Sequence, residues 1–152
     1  MSPAKPPLCA TVCLLLALLA PPSWAQNERS GTVKSVAGTV TIVRDQQSIV
    51  ASVGEAIQAG DRIETGPHAS VGFSLVDGTR MTMESDTQAA VETFQFNGTT
   101  QQGSLLLRLY RGTLRMITGW IAKTDPNAVQ VVTPTSVIGV RGTDFIVHVA
   151  GH

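Results

Sequence analysis

From about residue 30 onward, apolar and polar residues alternate along the chain with a period of two. In 69–76, Val71, Phe73 and Leu75 share one face, with Ser70, Gly72 and Ser74 on the other. In 79–84, Met81 and Met83 oppose Arg80, Thr82 and Glu84. Such alternation predicts half-buried strands, and the intervening Asp77-Gly78 signals a hairpin. Parity sets the loop. A two-residue loop pairs Val76 with Thr79 and sets Phe73 against Thr82. A three-residue loop, Val76-Asp77-Gly78, pairs Leu75 with Thr79, Phe73 with Met81 and Val71 with Met83. Only the second keeps the apolar side chains together, and a one-residue slip would turn them all to solvent. Gly78 is therefore expected in the left-handed conformation, where a Cβ is costly.

A second hairpin is expected at Arg111-Gly112, pairing Leu109 with Leu114 and Leu107 with Met116, with Arg108 and Arg115 together on the outer face. Further strands are predicted at Thr32–Val36, Gly38–Arg44, Gln88–Phe96, Ala128–Val132 and Thr143–Val149. Turn residues separate them at Asp45-Gln46-Gln47-Ser48, Gly60-Asp61, Gly66-Pro67, Asn97-Gly98 and Thr133-Pro134. One turn of helix is allowed at Val53–Ala59, and no window has a full amphipathic helical pattern. Many short strands at this spacing predict an all-β domain, a sandwich, roll or barrel-like body of mostly antiparallel strands. A short β-solenoid is the alternative, disfavoured because no repeat period is visible.

The first 25 residues read differently. Lys5 precedes a 13-residue apolar run, Leu8 to Ala20, interrupted only by Thr11; Pro21 and Pro22 follow, then Ser23-Trp24-Ala25. A basic start, a short apolar stretch and small residues before a cut are the marks of a secretory signal peptide. Cleavage is expected after Ala25, leaving residues 26–152 as one domain in the periplasm or outside the cell. The run is shorter than the ~20 residues a membrane span needs, so no transmembrane segment is expected after cleavage. Both cysteines, Cys9 and Cys13, fall in the leader, so the processed chain has no thiol and no disulfide. With 11 basic and 11 acidic residues the formal net charge is zero. That balance argues against a nucleic-acid partner, which calls for clustered cations.

Four segments in order carry a family resemblance: Gly31 to Val40, Gly54 to Gly66 with its Ala59-Gly60-Asp61, Leu75-Val76-Asp77-Gly78-Thr79, and Thr133-Pro134 through Val140-Arg141-Gly142-Thr143-Asp144-Phe145. Together they resemble the FecR family of extracytoplasmic β domains, over about Gly31 to Val149. The closing Thr-Pro…Val-Arg-Gly-Thr-x-Phe pattern is the most specific of the four. In founding members the domain is the periplasmic half of a membrane-spanning anti-sigma regulator that receives a signal from an outer-membrane transporter. A cytoplasmic sigma-binding segment, a transmembrane helix and a later domain have no counterpart in this sequence. The resemblance therefore implies the fold and the compartment rather than the relay, and the end at Gly151-His152 is consistent with a shortened chain.

The candidate chemistry is sparse. His68, His148 and His152 lack the converging spacing of metal ligands, and neither a metal nor a cofactor is expected. Asp61 with Glu64 and Glu84 with Asp86 read as turn and strand-end carboxylates rather than a catalytic pair. No nucleophile elbow is present, and a small hydrolase would need a Ser or carboxylate beside His68 or His148. Gly60, Asp61, Asp77, Gly78, Thr133, Pro134, Gly142, Thr143 and Phe145 are assigned to folding; Gly139 and Gly142 are expected to allow a bend or a close strand approach. Arg108, Arg111, Arg115 and Lys123 are the one basic concentration, beside Trp120. They fit either ordinary edge-strand charges or, with an exposed Trp120, a protein-interaction hot spot. The expected function is a non-catalytic binding module of the cell envelope, linked to envelope signalling and using β edges, Arg108, Arg111, Arg115 and Trp120. Its partner is a protein or an envelope polymer; the alternative is a carbohydrate- or cell-wall-binding module.

Overall fold

The alternation is realised as strands throughout a computed structural model that describes residues 2–4, 28–141 and 144–151. The strands are β1 Arg29–Ala37, β2 Val40–Arg44, β3 Gln47–Val50, β4 Ala56–Gln58, β5 Arg62–Thr65, β6 Ser70–Leu75, β7 Arg80–Met83, β8 Gln88–Phe96 and β9 Gly103–Ile117. A short helix α1, Trp120–Thr124, and a 3-10 turn at Pro126–Ala128 follow; then come β10 Val129–Val132, β11 Val137–Gly139 and β12 Asp144–Val149. The fold is all-β, as the sequence predicts. The leader expected over residues 1–25 falls, from Lys5 on, outside the described residues, as do Gly142 and Thr143. No helix among the described residues is long and apolar enough to cross a membrane.

One strand organises everything else. The first part of β9 pairs with β8 and, in parallel, with β10; its last part pairs with β7 and β12. One half of the sheet thus runs β3-β2-β5-β8-β9-β10-β11 and the other β4-β1-β6-β7-β9-β12. The sheet curls over on itself, and its inward rows meet in one core that includes Ile42, Ile63, Phe73, Met81, Met83, Leu107, Leu109, Leu114 and Met116. Burying such side chains contributes about 1.5–3 kcal/mol each and drives the closure.

The Val76-Asp77-Gly78 hairpin has the register parity demands. Val71 faces Met83, Phe73 faces Met81, the Leu75 amide donates to the Thr79 carbonyl at 2.8 Å, and Gly78 has φ +85°.

The Arg111-Gly112 hairpin does not form. Leu109 faces Ala89 and Leu107 faces Val91, while Leu114 faces Met83 and Met116 faces Met81. The inward parity does change between Leu109 and Leu114, but by a bulge and a bend. Gln88 lies opposite Arg111 and Ala89 opposite Leu109, which leaves Tyr110 as the extra residue. Gly112 then turns through φ +90°, and a Cβ on it would lie 2.2 Å from Thr87 Oγ1. That hydroxyl accepts from the Thr113 amide at 2.9 Å, pinning the changeover between the two halves.

Smaller corrections have equally local causes. Gly38, at φ +69°, divides the expected Gly38–Arg44 strand from its start. Asp45 and Gln46 alone make the next turn, both at positive φ, and Gln47 already belongs to β3. Val53–Ala59 holds a turn and then β4 rather than helix. Gly139 has nothing within 4 Å of a would-be Cβ and so provides no close approach.

Candidate functional site

The acidic motif residues point inward. Asp61 is fully buried, and its carboxylate accepts two bonds from Arg44, Nε at 2.8 Å and Nη2 at 2.7 Å, plus one from the Gln58 amide at 2.8 Å. Arg44 Nη2 also donates to the Ala56 carbonyl at 2.8 Å. A single fork thus clasps the end of β2 to the turn between β4 and β5. The bond to Asp61 raises the Arg44 pKa above its already high value, against an opposing effect of burial.

Asp77 does a related job at the β6–β7 turn. It is fully buried; its Oδ1 accepts from the Thr79 amide at 2.9 Å and its Oδ2 from the Thr79 hydroxyl at 2.8 Å. The Thr79 hydroxyl in turn accepts from the Gly119 amide at 3.0 Å, and the Asp77 carbonyl from the Trp120 amide at 2.9 Å. Gly119 is required there, because a Cβ would fall 2.3 Å from the Asp77 carbonyl oxygen. The Asp-Gly-Thr turn is therefore a pedestal for the start of α1. On it Trp120 stands 48% exposed, with the Lys123 ammonium 4.9 Å from the ring centroid.

The basic residues do not form one patch. Arg108 and Arg115 were expected side by side; instead they sit seven residues apart on the two halves of β9, with the bulge and the bend between them. Each is ion-paired across strands: Arg108 with Glu92 of β8, Arg115 with Asp144 of β12 through Nε at 3.0 Å and Nη2 at 2.6 Å. These bonds raise both guanidinium pKa values, and the bond from Arg115 holds the Asp144 carboxyl below the usual carboxylate range. Arg111 differs. Among the described residues its guanidinium has no hydrogen-bond or ion-pair partner.

Arg111 lines a groove between the last strands. The Thr133 hydroxyl accepts from the Ser136 amide at 3.0 Å, closing the Thr-Pro turn that joins β10 to β11. This turn, Tyr110, Arg111 and β12 enclose a cleft of about 560 Å³. A second cleft of about 420 Å³, lined by Val140, Arg141, Phe145 and Ile146, shares Ile138, Val147 and His148 with the first. Phe145 packs its ring partly against the core. His148 shares a 2.8 Å hydrogen bond between its Nδ1 and the Thr113 hydroxyl.

His68 lies in the turn before β6 at φ +55°, away from β12 in the pairing order. Among the described residues, no three His, Cys, Asp or Glu are placed to hold a metal. The residues that sequence reasoning missed are partners: Arg44, Glu92, Asp144, Gly119 and the groove residues Ile138 and Arg141. A carboxylate in a strand-to-strand turn between apolar runs, as at Asp61, is the signal that could have prompted a search for a basic partner.

No curated protein and no solved structure matches the chain. The family described as FecR protein matches residues 61–152, more than half of the chain. That span runs from the Asp61 clasp to the groove strands, and the family is associated with envelope and transmembrane signalling rather than with a known enzyme activity. This chain belongs to the FecR family.

Proposed function

We propose that the chain is exported under residues 1–25, cut after Ala25, and that residues 26–152 work in the periplasm or cell envelope as a single non-catalytic domain. It binds a protein partner and takes part in envelope signalling. The observation that carries this reading is the pedestal under Trp120. A large amphipathic ring, half exposed yet fixed at its backbone by buried Asp77 and Thr79, loses little freedom on contact, and such rings dominate interface energies. Arg111, without a partner among the described residues, offers its guanidinium to the same partner, while Arg108 and Arg115 tie their strands through Glu92 and Asp144 and present hydrogen-bonding edges to it.

The test uses the full chain with a C-terminal tag, expressed in a bacterium with a periplasm. Processed protein beginning at Gln26 is expected in the periplasmic fraction. Crosslinking in envelope extract is expected to capture a protein that is lost with Trp120→Ala, at unchanged far-UV circular dichroism. Unprocessed cytoplasmic protein, or capture indifferent to Trp120→Ala, would refute the reading. Retention on immobilised envelope polysaccharide, abolished by Trp120→Ala, would make it a carbohydrate-binding module instead.

A further inference from the structure

β11 and β12 face each other across the groove without pairing. Among the described residues β11 bonds only to β10 and β12 only to β9, so each keeps one row of main-chain amides and carbonyls open. Open edges of this kind invite another strand. β12 offers six residues of edge, Asp144–Val149, about 20 Å at ~3.4 Å per residue. Its exposed Ile146, at 65%, is unlike the charged residues that usually guard an edge.

The groove's charge is one-sided. Arg111 and Arg141 line it, and none of its described lining residues carries a carboxylate. The nearest acid in sequence, Asp144, is already held by Arg115. Beside the arginines the lining combines apolar Ile138, Val140, Phe145 and Val147 with the polar side chains of the Thr-Pro turn, Thr133, Thr135 and Ser136. An occupant suited to all three features has an extended backbone, alternate apolar side chains and at least one carboxylate.

We propose that the groove between β11 and β12 receives an extended acidic segment of a partner protein, which adds as a strand to the open edge of β12 and places a carboxylate on Arg111. This rests on the reading that the domain binds a protein, and it assigns the surface and the chemistry of the bound segment. Main-chain pairing supplies affinity, the Arg111 contact supplies selection for acid, and the apolar floor selects the alternate side chains.

The probe is a fluorescein-labelled octapeptide of alternating Val and Thr in which two Thr are replaced by Glu, compared with the same peptide carrying Lys. Fluorescence anisotropy with the purified full chain is expected to show the Glu peptide binding at least about tenfold tighter, the scale of a hydrogen bond to a charged group. Arg111→Glu, on an exposed side chain, is expected to reverse the preference, and Lys34→Glu on β1 to leave it unchanged. N-methylation of alternate peptide amides is expected to abolish binding on one of its two edges. Equal binding of the two peptides, no binding of either, or indifference to Arg111→Glu would overturn the proposal. If an envelope partner is captured through Trp120 and its capture is unaffected by Arg111→Glu, this inference fails while the proposed function stands. If no partner is captured at all, the proposed function fails first.

Discussion

Arg44→Leu tests whether the Asp61 clasp is a buried charge pair in the energetic sense. The substitution removes the two bonds at 2.7 and 2.8 Å and leaves a fully buried carboxylate with one donor, the Gln58 amide. Deleting one partner of a buried pair costs about 3–5 kcal/mol, because the remaining charge is uncompensated. The Arg44 side chain is itself 20% exposed, so water can follow into the space it vacates and the low end, about 3 kcal/mol, is expected. For a domain of this size that corresponds to a fall of roughly 10–15 °C in Tm. In urea, with a slope of about 1.5 kcal/mol/M, it is a midpoint shift of about 2 M.

The control is a second change that removes the orphaned charge. Adding Asp61→Asn keeps an oxygen for the Gln58 amide and leaves no charge behind, so the double variant is expected to recover more than half of the loss. Urea unfolding of the four proteins at pH 7, followed by far-UV circular dichroism, measures the cycle. A cost below about 1 kcal/mol would mean that the clasp behaves as a surface pair. A double variant as weak as Arg44→Leu would mean that lost packing at the end of β2, not the stranded carboxylate, is the cause.

Three further outcomes are expected. Gly112→Ala forces a Cβ into Thr87 at a positive φ, and should cost at least about 2 kcal/mol by urea unfolding; a neutral result would deny the bend in β9. Asp77→Ala strands the Thr79 amide and hydroxyl at a cost of about 2–3 kcal/mol. In a Trp24→Phe background, which leaves Trp120 as the lone tryptophan, it should also shift emission to the red as the pedestal loosens. For Asp144, whose folded pKa is lowered by Arg115, the pair stabilises above the ordinary aspartate value of about 3.9 and that gain is lost as pH falls through the folded value. The midpoint difference between the parent and Asp144→Asn should therefore be present at about pH 6 and shrink as the pH falls below the ordinary aspartate value; a difference that grows on acidification would refute the sign.

The two hairpin readings show what a period-two pattern carries and where it stops. At Val76–Gly78 both flanking strands bury the same face, and only one loop length reconciles them, so the register was readable to the residue. At Arg111–Gly112 the same arithmetic applied: odd positions inward to Leu109, even positions from Leu114. A turn and a bulge both change parity, and side-chain alternation does not distinguish them. What decides is the neighbour 25 residues upstream, Thr87, whose hydroxyl fills the space under Gly112. No local window contains that contact.

The candidate site was legible in residue type and not in arrangement, for the same reason. Asp61, Asp77 and Thr133 could be assigned to folding because short polar side chains in turns bond nearby backbone, and each does. The arginines could be named as the basic concentration, but their grouping depended on the hairpin that β9 replaces. Because β9 continues through a bulge and a bend instead of turning back, Arg108 and Arg115 separate onto its two halves and meet acids from other strands, whereas the bulge at Tyr110 places Arg111 beside the Thr-Pro turn. The bulge that replaces the expected hairpin is thus what brings Arg111 to the groove. Straightening β9 by deleting Tyr110 would shift every later side chain to the opposite face, so the core and the groove cannot be altered there independently.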